Sequence, residues 1–284
     1  MIILARLLTT VIIGLGGSAF AGTINILWYT GGTEASGPGT YEAAINNLVA
    51  QEENAAFNIS GSVNTWNVTF WTGGAMPTGT FNALVVASPE GGWSTFPDYS
   101  SLTSQVTAAS FGDRVMLTGQ DADWHDIFSP GSANFNGPSG FLIDAINWAG
   151  SGTGLGGVFL ADSFVYSMFT GTGTNTGENN TVNIPSAFST FPINTGLTSA
   201  GLSNWNTSAH ESFVGSDPSL WTAINVNGAG DPITIVTAST AGGGTGGPGS
   251  SVPDGGSTCL LLLLGGGLIC LGMRHLDRKN LNLA

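Results

Sequence analysis

Five short apolar runs do most to limit what this chain can fold into. They are residues 23–29, 66–71, 83–87, 114–117 and 158–161, each closed by Gly, by Ser-Pro or by an acid. The first, with Ile24, Ile26, Leu27, Trp28 and Tyr29 almost unbroken, has the signature of a strand buried on both faces. Between the runs, residues 41–51 place Tyr41, Ala44, Ile45, Leu48 and Val49 at helical spacing, and residues 139–149 place Phe141, Leu142, Ala145, Ile146 and Trp148 on one side. Residues 102–109 are a third helix candidate. Strands separated by helices predict an α/β fold, a parallel sheet flanked by helices on both faces. After Asp162 the pattern loosens: residues 170–183 predict a long polar loop, 185–205 carry scattered apolar anchors, and 221–237 read as two strands turning at Asn227-Gly228-Ala229-Gly230.

Charge narrows the function. Of the five Lys and Arg residues, Arg6, Arg274, Arg278 and Lys279 lie near the termini, which leaves Arg114 as the one basic residue of the body. Of the 18 acids only Asp254 and Asp277 fall outside it, so the body carries a net charge of about −15. Nonspecific affinity for nucleic acid comes from Lys and Arg, so nucleic-acid partners are excluded; a P-loop, which needs its lysine, is excluded too. Both cysteines, Cys259 and Cys270, lie in the C-terminal apolar run. The body therefore has no disulfide, no thiol nucleophile and no Cys-based metal site. At roughly 230 residues it is long enough to bury a core without them.

The two ends predict export. Residues 1–21 combine Arg6, an apolar run at 7–15 and the small-residue ending Ala19-Phe20-Ala21, the layout of a secretory signal peptide cut after Ala21 by signal peptidase. At the other end a Gly/Ser-rich linker, 239–251, precedes Val252-Pro253-Asp254-Gly255-Gly256, an apolar run at 258–273 and a basic end with Arg274, Arg278 and Lys279. As a helix that run is about 24 Å long, short for a hydrocarbon core of about 30 Å. The glycines at 265–267 weaken it further, as suits a processing substrate better than a permanent anchor. The basic end predicts a cytoplasmic C-terminus with the body outside.

This motif, apolar run and basic end, in that order, resemble the PEP-CTERM class of bacterial sorting signals, in particular its VPDSG variety, with Gly255 where that variety has Ser. The resemblance implies a sorting signal over 252–284 with a single transmembrane segment at 258–273, cut by an exosortase-type protease, and delivery to the cell envelope or the extracellular matrix. It covers sorting only. The expected organisation is a signal peptide at 1–21, an extracytoplasmic α/β domain at 22–238, the linker, and the sorting signal.

In an open parallel sheet, ligands bind beyond the carboxyl ends of the strands. That rule selects Gly31-Gly32-Thr33-Glu34, the stretch from Ser88 to Trp93, the stretch from Gly119 to Asp126, and Asp162-Ser163. The third is the most informative, because Asp121, Asp123 and Asp126 with His125 place three carboxylates and an imidazole within six residues. Oxygen ligands so spaced suit a hard cation such as Ca²⁺, although the glycine and distal Glu of an EF-hand loop are missing. The same residues also suit backbone capping, the simpler reading, or acid–base chemistry by Asp123 and His125. Gly-rich residues 31–39 do not have the spacing of a dinucleotide fingerprint, and no Gly-x-Ser-x-Gly elbow is present.

The order of strands and helices around Leu84-Val85-Val86-Ala87-Ser88-Pro89-Glu90-Gly91-Gly92 and Val115-Met116-Leu117-Thr118-Gly119-Gln120 is similar to the class I glutamine amidotransferase-like fold, which is flavodoxin-like. That family carries a Cys nucleophile after the strand matching 115–118; here Gly119-Gln120-Asp121 stands there. His210 and Glu211 are similar to the family's His and Glu, though adjacent where the family separates them by one residue. The resemblance implies a scaffold without thiol chemistry. The expected function is therefore a non-catalytic binding or structural role at the envelope or matrix, with no cofactor unless Ca²⁺. The alternative is a cation-dependent extracytoplasmic hydrolase using Asp121, Asp123 and His125.

Overall fold

In the computed structural model, the described residues are 22–35, 41–52, 64–89, 93–128, 136–160, 163–175, 177–205 and 207–238. The predicted signal peptide, the linker from 239 and the sorting segment lie outside them, as do Glu90, Gly91, Gly92 and Asp162 of the predicted loops.

The five apolar runs become parallel strands. They are β1 (Thr23–Tyr29), β2 (Thr65–Trp71), β3 (Ala83–Val86), β4 (Val115–Thr118) and β5 (Gly156–Leu160), followed by an antiparallel hairpin of β6 (Trp221–Val226) and β7 (Pro232–Thr237). The hairpin turns at Asn227–Gly230 as predicted. The side chain of Asn227 accepts from the amides of Ala229 and Asp231, both at 2.9 Å, and Gly230 takes φ 93°, which a side chain would resist.

The sheet runs β2-β1-β3-β5-β4-β7-β6, with β7 antiparallel to β4. Its five parallel strands therefore lie in the order 2-1-3-5-4, whereas flavodoxin-like sheets run 2-1-3-4-5. β5 inserts between β3 and β4, and β4 is paired on its outer side by β7.

Because successive side chains point to opposite faces, β1 feeds two cores. Ile24, Ile26 and Trp28 face one side with Val85, Met116 and Val158, against α1 (Tyr41–Glu52) and α4 (Pro138–Gly150). Leu27 and Tyr29 face the other with Leu84, Val86, Leu117 and Phe159, where Leu102 of α2 (Ser100–Gln105) packs beside Tyr166, Phe169 and Phe213. Every residue of α4 is buried. One side meets the sheet, and the scattered anchors predicted at 185–205 (Phe191, Ile193, Leu197, Leu202 and Trp205) join the same core. Pro138 sits in the first turn of α4, where its missing N–H costs nothing. Asn147, deep in that helix, accepts from the indole of Trp66 at 2.8 Å and the amide of Asn64 at 3.1 Å, so α4 is pinned to β2 by polar as well as apolar contacts.

Two helix expectations change. The predicted helix at 102–109 starts earlier and ends at Gln105, because Val106 turns extended and a separate 3-10 turn forms at Ala108–Ser110. The stretch 119–126, predicted as a loop, carries helix α3 (Ala122–Phe128), opened by the amide of His125 donating to the carbonyl of Asp121 at 3.2 Å. Among the described residues no helix is long and apolar enough to cross a membrane.

Leu84, fully buried at the centre of the sheet, reports on this packing. Leu84→Ala is expected to lower the unfolding free energy by about 2–5 kcal/mol, read from urea denaturation; a loss below about 1 kcal/mol would mean that the site collapses around the deletion.

Candidate functional site

The carboxyl ends of β3 and β4, the start of α1, Trp205 and residues 207–211 meet around the first turn of α3. Gly119 makes the meeting possible. Its amide donates to Ile233 at 2.8 Å, and its carbonyl accepts from the His210 amide at 2.8 Å. A Cβ there would stand 2.0 Å from the carbonyl oxygen of Glu211. Only glycine lets residues 209–211 cross so close to the strand end.

Asp121 follows, fully buried. Its Oδ1 lies 3.3 Å from Nε2 of His125, one helical turn on, and its Oδ2 lies 3.4 Å from Nε2 of His210. Nε2 of His125 also lies 3.1 Å from the carbonyl oxygen of Thr207, and its ring packs against Trp205 with centroids 5.5 Å apart. The His210 side chain is 25% exposed, and its Nδ1 faces Glu178 Oε1 at 3.8 Å. The chain has three histidines, of which His275 lies in the tail, so both imidazoles of the body converge on one carboxylate. Donor atoms of Asp121, His125 and His210 all lie within 4.8 Å of one another, and these three are the set that can hold a metal ion among the described residues.

The other two aspartates point elsewhere. Oδ2 of Asp123, also fully buried, accepts from the Tyr41 hydroxyl at 2.7 Å and from the Ser88 amide at 3.0 Å; the Tyr41 oxygen in turn accepts from Trp28 Nε1 at 3.1 Å. This chain fastens α3 to β3, α1 and β1. Burial raises the pKa of Asp123 against the pull of those hydrogen bonds. Burial and the nearby Asp123 carboxylate hold the Tyr41 phenol well above its ordinary value. Asp126 accepts a short hydrogen bond from the Ser139 hydroxyl at the start of α4. Its carboxyl is pushed up to about 6, first by burial and then by the charge of Asp123, with the Ser139 bond opposing.

The three carboxylates grouped by sequence spacing thus go to three different partners. The structure brings Asp121 and His125 together, as their one-turn spacing on a helix allows, and adds His210. Glu211 contributes its backbone, packed over Gly119. Thr207 and Asn180 were missed. Asn180 Oδ1 accepts from the amides of Thr207 at 2.7 Å and Ser208 at 3.1 Å, and so sets the loop that aims the Thr207 carbonyl. In the sequence His210 stood out only through the amidotransferase-like resemblance; the scarcity of histidine is the signal that could have paired it with His125.

The predicted loop after β1 is packed shut. Gly31, at φ 57°, lies so close to Pro97 and Asp98 that a Cβ would stand 2.8 Å from the Asp98 amide, and Thr33 donates to Thr95 at 2.7 Å. An open groove of about 410 Å³ lined by Asn25, Asn67, Thr69, Thr78, Thr80 and Phe81 shares no residue with the Asp121 cluster. The chain matches no family model, no curated protein and no solved structure.

Asp126 gives this site a pH signature. Folded Asp126 holds its proton to about pH 6, whereas an unfolded aspartate loses it near pH ~4. Between those values the folded state binds more protons, so stability is expected to fall as pH rises, by about 2–3 kcal/mol. In buffer containing chelator, Asp126→Asn, which keeps an acceptor for Ser139, is expected to be more stable than wild type above pH 6 and to lose this part of the slope. Urea denaturation across pH 4–8 checks it, and an unchanged slope in the variant would place the effect on another group.

Proposed function

We propose that this chain is an exported envelope or extracellular-matrix protein, freed of its signal peptide after Ala21 and held by its C-terminal segment until an exosortase-type protease cuts it, and that its α/β body binds or scaffolds. The order of Val252-Pro253-Asp254-Gly255-Gly256, apolar run and basic end supports the sorting half. The carrying observation for a role without turnover is Asp123. The carboxylate that a hydrolase would use as its base is fully buried and already shared between Tyr41 and Ser88. Of the cluster around Asp121, the His210 side chain is the most open to solvent, so the rival reading as a cation-dependent hydrolase has little surface on which to bring a substrate.

A relation to the amidotransferase-like fold is part of the proposal. What supports it is that His210 lies 3.4 Å from Asp121, in the Gly119-Gln120-Asp121 stretch that follows the strand after which that family has its Cys. The strand order 2-1-3-5-4 counts against a plain flavodoxin-like sheet. An imidazole facing a carboxylate, with no thiol in the body to deprotonate, has no acyl-transfer chemistry to perform, which again favours binding.

Deleting residues 252–284 is expected to release the body into the medium, whereas the full chain stays with the envelope until it is processed. Fractionation with an antibody to the body reads this out. A deletion product still held in the envelope would overturn the sorting proposal.

A further inference from the structure

We propose that Asp121, His125 and His210 hold one divalent transition-metal ion of the Zn²⁺ class, with the carbonyl of Thr207 as fourth donor. The separations are too long for strong hydrogen bonds and short enough for an ion to draw the three side chains together. Charge-assisted hydrogen bonds from an imidazole to a carboxylate run at about 2.7–2.9 Å. The two imidazole–carboxylate separations are longer, at 3.3 and 3.4 Å, and neither oxygen of Asp121 has a hydrogen-bond partner. Around a tetrahedral ion with metal–ligand bonds of about 2.0–2.1 Å, donor atoms stand about 3.3–3.4 Å apart. Each imidazole meets that spacing at a different oxygen of Asp121, and one donor atom from each of the three residues can be chosen with all of them within 4.8 Å, so the carboxylate has only to turn for one oxygen to serve both. A fully buried carboxylate without hydrogen bonds is costly unless a positive charge sits beside it.

Thr207 adds an independent observation. It holds φ 83°, a left-handed backbone that a β-branched residue adopts only under strain. The Asn180 side chain keeps it there, and the result turns the Thr207 carbonyl to within 3.1 Å of Nε2 of His125. Once that nitrogen gives its lone pair to a metal it has no proton to offer Thr207, so the carbonyl is placed to ligate the same ion.

Two imidazoles, a carboxylate and a carbonyl suit Zn²⁺ and its first-row neighbours, whereas Ca²⁺ takes oxygen ligands throughout. Four protein donors close the coordination sphere, the mark of a structural rather than a catalytic site. The ion would tie α3 to residues 207–210, with partly exposed His210 as the side from which it exchanges. The inference goes beyond the sorting proposal, and either can fail without the other, since one is read by fractionation and the other on purified protein.

The test uses the tag-free full chain in mild detergent, stripped with chelator and titrated with Co²⁺. One ion per chain is expected, with the visible bands of tetrahedral nitrogen–oxygen coordination, displaced by Zn²⁺ and unaffected by Ca²⁺. His210→Gln, at a partly exposed position, is expected to weaken binding about 100-fold or more. X-ray absorption of the Zn²⁺-loaded wild type, which needs no variant to fold, is expected to show two imidazoles in the shell. Absence of saturable binding, equal affinity in His210→Gln, competition by Ca²⁺ or an imidazole-free shell would each overturn the proposal.

Discussion

Burying two carboxylates, Asp121 and Asp123, at the end of one strand sets what the rest of the structure has to supply. An ionised carboxylate taken out of water is tolerated only with donors or positive charge at hand. Asp123 finds a phenol and a backbone amide, and in doing so draws the start of α1 and the end of β3 against α3. Asp121 faces two imidazoles at 3.3 and 3.4 Å without a hydrogen bond to either, one from its own helix and one from a segment almost ninety residues further along. The crevice that an open parallel sheet leaves beyond its strand ends is therefore filled by polar pairs.

Composition explains why the partners are these. With no lysine and a single arginine, the body has almost no permanent cation to set against a buried acid. The arginine is committed at the opposite end of β4, where Arg114 donates to the Trp148 carbonyl at 2.8 Å and the Ser151 hydroxyl at 2.6 Å, and its guanidinium lies 5.7 Å from the centre of the Trp148 ring. Histidine is what remains. The same shortage makes a bound cation a natural complement to the cluster, and it leaves the acidic surface of the body largely unneutralised.

Much of the architecture was legible because it depends on local pattern. β1 stands where its almost unbroken apolar run put it, and α1 and α4 stand where apolar residues recur at helical spacing. The hairpin at 221–237 was legible from its Asn-Gly turn chemistry. Helix α3 was not, because a stretch as acidic as Asp121–Asp126 reads as a loop until Asp123 and Asp126 are given partners on α1, β3 and α4. The insertion of β5 between β3 and β4 was equally invisible: strand order is a matter of which faces pack, and five similar apolar runs do not encode it individually.

The sequence by itself determined the class of fold, the absence of thiol and lysine chemistry from the body, and the handful of side chains able to do anything at all, because these follow from residue type and short-range spacing. Only the tertiary structure decided that Asp121, Asp123 and Asp126 part company and that His210 closes on Asp121. Those outcomes turn on chain crossings such as the passage of Glu211 over Gly119, and a contact between residues 92 positions apart leaves no trace in the local pattern of either.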